Sequence, residues 1–598
     1  MNDLARDLAS TARLPLPTRA GALSFWLRSR AFILLRALRD LGDRSHRRWP
    51  RGHALAEAAV LAESRTPLWR DGRGDEFALV AGKVHNLRVA LRAFDGVVVP
   101  AGATLSFWRQ LGRPTALRGF VRGRELRGGC IVPVVAGGLC QLSNALADVA
   151  ARAGIAFVER HAHSARVGDD GAIDATVFWN YVDLRLRAAH AWRLEAELTA
   201  DELVVRVRAD MPVRAAPDDD GGASLRSRAV RPLRGCLTCA EAACFRHEPS
   251  LRAAHAREAW LLDAWTPEFA AHLATRTGAD DVDRHAPPTG AQWRQPWRSQ
   301  PRNWVGARAL RAASLRRLAW LRWNAHAQGR RQAAIVDGER WIAAAFARRL
   351  RPEHDRLVLA QGALPHLHRL GVLGGRRYRV LANALPMAEI ERRLDAARRG
   401  AGEAAAATLA DFRVDAALRE AEQLALHGAE AIVTAHAEVA RYWRARGVTV
   451  QQLSWSMPAV APRGAVARPG APPGAPLVVF AASALARKGA YELAAALRGL
   501  RVRLRVLGSR SADATLWQGI EVEHAGYASD WLEQACVVVL PAHVEHAPRA
   551  LLRALAAGVP VVATPACGID ATPHLELVPA GDVEALRRAI MDRVMEAH

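Results

Sequence analysis

Glu545-His-Ala-Pro-Arg-Ala-Leu-Leu-Arg-Ala-Leu-Ala-Ala-Gly-Val-Pro-Val-Val-Ala-Thr564 follows the apolar run Ala535-Cys-Val-Val-Val-Leu-Pro541 after a short break. The order is a buried strand, a loop carrying an acid, a helix, a Gly/Pro break and a second apolar strand. That order is the βαβ unit of a parallel sheet. Upstream, Pro476 to Phe480 and Leu504-Arg-Val-Leu-Gly508 have the composition of further core strands. Strand, loop, Lys488-Gly489 and helix start succeed one another from Phe480 onward. A helix N-terminus with an ammonium beside it suits a diphosphate.

The run from Glu545 to Thr564 resembles the C-terminal signature of retaining GT-B glycosyltransferases. There a Glu follows the strand, a helix carries a second Glu, and a Gly-x-Pro-Val-Val turn leads into the next strand. The resemblance covers about residues 475–590. It implies that Glu545 contacts the donor sugar and serves as a catalytic residue. It also implies that Lys488 and Gly489 meet the diphosphate and that Thr564 borders the nucleotide-sugar site. The sequence departs from the pattern at Arg553, where the second Glu is expected, and at Ser483, where a phosphate-loop Arg is usual. These departures leave open a non-catalytic carbohydrate-binding module with a degenerate GT-B cleft.

Working outward, apolar runs alternate with Ala/Leu/Arg helical patterns from Arg331 on, and the Pro/Gly-rich interval Ala461 to Pro476 divides them. Two Rossmann-like halves are expected, 331–460 on the acceptor side and 475–598 on the nucleotide-sugar side. In the first half, Glu430-Ala-Ile-Val-Thr-Ala-His436 and Trp455-Ser-Met-Pro458 carry a weaker likeness. Leu373-Gly-Gly375 is the nearest substitute for a Gly-rich loop.

The N-terminal half reads differently. Gly82-Lys-Val-His-Asn-Leu-Arg88, Pro100-Ala-Gly-Ala-Thr-Leu-Ser-Phe-Trp108, Gly137-Gly-Leu-Cys-Gln-Leu-Ser-Asn144, Val158-Glu-Arg-His-Ala-His-Ser164 and Phe178-Trp-Asn-Tyr-Val-Asp183 occur in order. Together they resemble the VanW family associated with glycopeptide-resistance clusters, and an α+β domain over 51–215 is expected. Cys140 falls at the start of a helical run, where the partial positive charge of the helix end favours thiolate. His161 and His163 lie two apart on a strand-like segment and share a face, so either could act as base. Gln141 or the next backbone N–H could stabilise an oxyanion. The constellation suits cysteine-dependent acyl transfer or amide hydrolysis on a cell-wall peptide.

Between these parts, residues 216–330 form a connector in which Cys236, Cys239, Cys244 and His247 follow a C-x2-C-x4-C-x2-H spacing. Three sulfur ligands and an imidazole suit tetrahedral zinc, and an iron–sulfur centre is the alternative. The acidic stretch Pro217 to Gly222 marks the boundary before it. The expected fold class is therefore multidomain: an α+β VanW-like domain, a Cys-rich metal-binding connector, and an α/β GT-B pair of Rossmann-like halves.

Bulk properties agree. At 598 residues the chain exceeds the roughly 250–300 that one core supports. The net charge of +23 comes almost wholly from Arg spread along the chain, with Lys only at Lys83 and Lys488. Dispersed charge of that kind reflects composition and argues against a nucleic-acid partner. Lys83, a compact point charge, could meet a substrate carboxylate or phosphate. No apolar run reaches the roughly 20 residues of a spanning helix, and no cleavable signal pattern opens the chain. A cytoplasmic protein is expected. The basic segment 1–50 contains Gly21 to Leu41, where Phe, Trp, Ile and Leu interleave with Arg. That pattern suits peripheral contact with the inner face of the plasma membrane or packing on the chain's own domain. Seven cysteines argue for reduced thiols rather than a disulfide framework. The expected substrates are a nucleotide-sugar donor and a cell-envelope glycan or lipid-linked acceptor; the oligomeric state is left open.

Overall fold

The computed structural model describes residues 16–596 apart from 43–46, 70–75, 128–129, 163–172, 211–233, 247–254, 264–265, 275–279, 288–309, 325–329, 461–474, 528–530 and positions 238, 240, 242, 411 and 512. The chain divides into two compact units. One comprises residues 1–258 with 350–356 and 371–377; the other comprises 259–349, 357–370 and 378–598.

The first unit is α+β. Its main sheet has the order β1-β9-β8-β2, formed by Val60–Pro67, Glu202–Arg208, Trp192–Leu198 and Val97–Val99, with antiparallel pairing throughout. β1 alternates, sending Ala62, Ser64 and Thr66 inward, as a strand with one covered face must. Helix α1 (Arg19–Asp40) precedes it and starts at Thr18, whose side chain accepts the Gly21 N–H. Two smaller three-stranded sheets complete the unit. One orders β3 (Thr104–Ser106), β7 (Arg185–Arg187) and β6 (Ala156–Glu159); the other orders β10 (Arg234–Gly235), β5 (Cys130–Val135) and β4 (Arg122–Arg127).

Helix α2 (Phe77–Leu91) runs under β4 and supplies Asn86, which is wholly buried. Its amide Nδ2 donates to the Val121 and Gly137 carbonyls at 3.0 and 2.9 Å, and its Oδ1 accepts the Val121 N–H. One side chain thus pins the turn that leads into α3 (Cys140–Arg152). Gly138 in that turn has φ +98°, and a Cβ there would run into the Lys83 side chain. Glycine is required on both counts.

The second unit contains two six-stranded sheets. The first orders β12 (Val282–His285), β11 (Arg257–Leu261), β13 (His354–Ala360), β14 (Arg377–Leu381), β15 (Ala431–Thr434) and β16 (Val450–Gln452), the last three in parallel pairs. The second orders β19 (Glu521–His524), β18 (Arg503–Val506), β17 (Leu477–Phe480), β20 (Ala535–Leu540), β21 (Val561–Ala563) and β22 (Leu575–Leu577), with every pairing parallel. All four residues of β17 are buried, the mark of a strand covered on both faces. Helices α4 (Pro267–Leu273), α5 (Ala437–Arg444), α6 (Ala490–Leu497) and α7 (Arg549–Ala556) accompany these strands.

Two parallel-sheet halves are what the sequence led us to expect, with one correction to their limits. β11 and β12 come from the expected connector and join the first sheet, so that half begins near Ala259 and not at Arg331. Short apolar runs such as Ala259 to Leu261 pack in the sheet although no helical pattern beside them announces a βαβ unit. A second correction concerns Leu373-Gly-Gly375. Residues 371–377 belong to the first unit, where Gly374 abuts Leu198, Gly375 abuts Val84, and Arg88 Nε donates to the Gly374 carbonyl at 2.7 Å. These glycines serve close packing. The stretches Pro217 to Gly222 and most of Ala461 to Pro476 lie outside the described residues.

Candidate functional site

At the C-terminal end of β17 the chain turns through Ala486–Lys488 to Gly489, which has φ +78°. A Cβ on Gly489 would collide with the Pro541 carbonyl at the end of β20. That close approach sets Lys488 against the loop after β20. Its ammonium lies 2.7 Å from Glu545 Oε2 and 3.3 Å from the Val544 carbonyl. Glu545 Oε1 accepts the N–H groups of His546 and Ala547 at 2.8 and 3.0 Å. Burial pushes the Glu545 carboxyl up, but the Lys488 charge and these three donors outweigh it and hold the group well below the usual carboxylate range. Glu545 is therefore an anion fixed in place.

The other half closes on the same loop. His436 caps α5, accepting the Val439 N–H on Nδ1, and its Nε2 donates to the Glu545 carbonyl at 3.0 Å. Gly568 accepts from both the Ala437 N–H and Trp455 Nε1 at 2.9 Å. Arg549, in the first turn of α7, grips Glu268 with both guanidinium nitrogens at 2.7 and 2.6 Å. His546 is buried beside Lys488, and both effects push its imidazole down to about 4; its Nε2 has no partner.

In the first unit, Cys140 lines a cavity of about 670 Å³ together with Lys83, Trp108, Gln141, Asn144 and Trp179. Its Sγ sits 3.8 Å from Thr176 Oγ1 and donates to the Val177 carbonyl at 3.9 Å.

Two family models match the chain: VanW like protein over residues 82–208, and Glycosyl transferases group 1 over residues 475–595. The chain carries a VanW-like domain and a group 1 glycosyltransferase domain. Vancomycin B-type resistance protein VanW of Enterococcus faecalis is 24% identical over 164 residues, which are 26% of this chain and 60% of that protein. Uncharacterized protein YoaR of Bacillus subtilis is 33% identical over 104 residues, 17% of this chain and 34% of that one. The chain thus spans less than two thirds of either relative. Among solved structures, sucrose-phosphate synthase from Thermosynechococcus elongatus is 16% identical, covering 57% of this chain and 90% of that one at a TM-score of 0.35. HepE of Anabaena in complex with UDP-glucose is 12% identical over 57% and 90%, at 0.31. At such scores the fold rests on the two sheets themselves.

In the glycosyltransferase domain the residues singled out from sequence converge unevenly. Lys488 and Glu545 meet. Gly489 makes the turn that lets them meet. Thr564 is wholly buried and donates its hydroxyl to the Ala542 carbonyl at 2.5 Å, which braces the same loop from behind. Ser483 accepts the Ser509 N–H on its hydroxyl at 3.1 Å, and Arg553 lies over the Trp531 ring at 5.7 Å. Sequence reading missed His436, His546 and the Arg549–Glu268 clasp as parts of this site. Glu430 to His436 had carried a likeness, but only the folded chain brings that imidazole to Glu545.

In the VanW-like domain the one described candidate imidazole, His161, is not brought to the expected thiol. His161 is half-exposed, pairs with Glu159 Oε1 at 3.2 Å and does not line the cavity; His163 lies outside the described residues. Gln141 is also turned from the expected role. Its Nε2 donates to Thr66 Oγ1 and the Pro67 carbonyl, both at 3.0 Å, while Oε1 is buried without a partner. Its amide protons are thus taken up within the fold and are not offered to an oxyanion.

Cys236, Cys239 and Cys244 do gather, and the fourth thiol beside them is Cys130, at the start of β5; all four line a cavity of about 20 Å³. β10 brings them there by pairing with β5, with the Cys236 N–H donating to the Ile131 carbonyl at 2.9 Å. The metal expectation is corrected. Among the described residues no group of three or more His, Cys, Asp or Glu is placed to hold a metal ion, and His247 lies outside them. Burial, first, and the neighbouring thiols push the Cys236 thiol up to about 11.

Proposed function

We propose that the chain is a glycosyltransferase that takes a sugar from a nucleotide-sugar donor with retention of configuration. The acceptor is a cell-envelope glycan or a lipid-linked saccharide. The observation that carries this reading is the Lys488–Glu545 pair at 2.7 Å, set at the strand ends where open α/β sheets bind ligands. In this reading Lys488 turns part of its charge to the donor diphosphate, next to the N-terminus of α6. Glu545, already ionised and held by two backbone N–H groups, receives donor sugar hydroxyls. His436 and Thr564 fix the loop that carries it. The VanW-like domain then handles the same envelope material.

A thermal-shift screen against UDP-, GDP- and ADP-sugars tests the proposal, because a ligand that binds only the folded state raises its stability. One donor class should shift the protein, and Lys488→Ala should abolish the shift. If no donor shifts the wild-type chain, the degenerate, non-catalytic cleft replaces this reading.

The Cys140 cavity favours a second reading, cysteine-dependent acyl transfer or amide hydrolysis on a cell-wall peptide. A thiol-directed probe should label Cys140 at neutral pH and be blocked by peptide substrate. Peptide turnover that survives in Cys140→Ser would remove this reading.

A further inference from the structure

Helix α1 docks on its own unit through a mixed apolar and polar face. The residues it turns toward its own unit are Ala22, Phe25, Ser29, Ile33, Arg36 and Asp40, spaced along one face, with Phe25 edge-on to Phe178 at 5.8 Å. Ser29 is 8% exposed and lies 3.5 Å from the Tyr181 hydroxyl. Arg36 binds Glu159 with both terminal nitrogens at 3.1 and 2.5 Å and Asp40 with Nε at 3.1 Å; Arg185 adds a 2.8 Å bond to Asp40. These contacts fix the rotation of the helix about its axis.

The opposite face is apolar and bare. Leu23, Leu27, Leu34, Leu35 and Leu38 are each 55–61% exposed, and Leu41 is 80% exposed. At 3.6 residues per turn these leucines form one stripe. Arg19 and Arg30 run along one border, Arg28 and Arg39 along the other, and all four are exposed. The only acid in the helix, Asp40, is held by Arg36 and Arg185.

We propose that α1 is an interfacial anchor that lays the first unit on an anionic lipid bilayer. An apolar stripe bordered on both sides by cations, with no facing acid, matches the acyl and headgroup layers of such a surface. The arginine stems lie along the stripe and lift their charges to the phosphates. A second copy of the helix fits less well, since pairing the two stripes would set like-charged borders against each other. No helix among the described residues is long and apolar enough to cross a membrane, so the attachment is peripheral. Trp26 and Arg30 of the same helix also line the Cys140 cavity. Docking therefore places that edge of the cavity beside the headgroups.

The test is co-sedimentation of the full chain with vesicles of phosphatidylcholine, alone or with roughly one-third phosphatidylglycerol. Binding should need the anionic lipid and fall with salt. The variant Leu34→Glu/Leu35→Glu/Leu38→Glu should lose at least about tenfold in vesicle affinity. Arg28→Ser/Arg39→Ser, which leaves both faces of the helix intact, should lose about tenfold on anionic vesicles and so carries the test if the leucine variant does not fold. Equal sedimentation with and without vesicles overturns the proposal. So does vesicle binding unchanged in both variants, or a dimer in vesicle-free buffer that the leucine substitutions dissolve without any vesicle binding by the wild type.

Discussion

The Lys488 ammonium and the Glu545 carboxylate form a 2.7 Å ion pair in which both side chains are about six-sevenths buried, at 14% and 13% exposure. Each group satisfies the other's charge away from water, so neither can be removed alone without leaving an uncompensated ion.

Lys488→Met should therefore destabilise the glycosyltransferase domain by about 3 kcal/mol, as breaking one side of a buried pair does. Adding Glu545→Gln should restore most of that loss, because two neutral groups need no partner. Urea unfolding of the two single variants and the double variant measures the coupling. Additive losses would show that the pair contributes nothing.

Acid should loosen the Arg549–Glu268 clasp. Burial alone would raise the Glu268 carboxyl, but the Arg549 bonds and the Ser456 N–H bring it down to about 2. A carboxyl depressed in the fold contributes stability that is present above its unfolded value of about 4.3 and is lost as pH falls toward 2. Glu268→Gln should be less stable at neutral pH and should show a shallower loss across that window, followed by the thermal midpoint against pH.

Gly138→Ala should cost about 2 kcal/mol or more, since the new methyl meets Lys83 and the backbone sits at φ +98°. The methyl also displaces a cavity wall residue. Probe labelling of Cys140 in this variant should slow beyond what the fall in thermal midpoint explains.

The thiols should separate by reactivity. Cys236 is 7% exposed and pushed up to about 11, and Cys567 is wholly buried and pushed up to about 12. Iodoacetamide at neutral pH, read by mass spectrometry, should modify the half-buried Cys140 well before either. Rapid labelling of Cys236 in the folded protein would contradict its burial.

Local pattern carried much of this protein. Runs such as Leu477 to Phe480 and Ala535 to Leu540 are apolar at every position, and a strand covered on both faces tolerates little else, so the parallel sheet of the second half was legible. The start of a helix at Cys140 was legible for the same reason: its glycines and helical run are neighbours in the chain. The VanW-like and group 1 glycosyltransferase segments were readable from short ordered blocks.

What only the tertiary structure decided depends on which distant segments meet. Cys130 joins Cys236, Cys239 and Cys244 because β10 pairs with β5, a contact across more than a hundred residues. His161 faces Glu159 instead of Cys140, and His436 reaches the Glu545 backbone from the other half. The docked face of α1 can include Ser29, Arg36 and Asp40 beside Phe25 and Ile33 because Tyr181, Glu159 and Arg185 meet them. Periodicity along one helix marks an apolar stripe, but which stripe is buried is settled by the partners that other elements present.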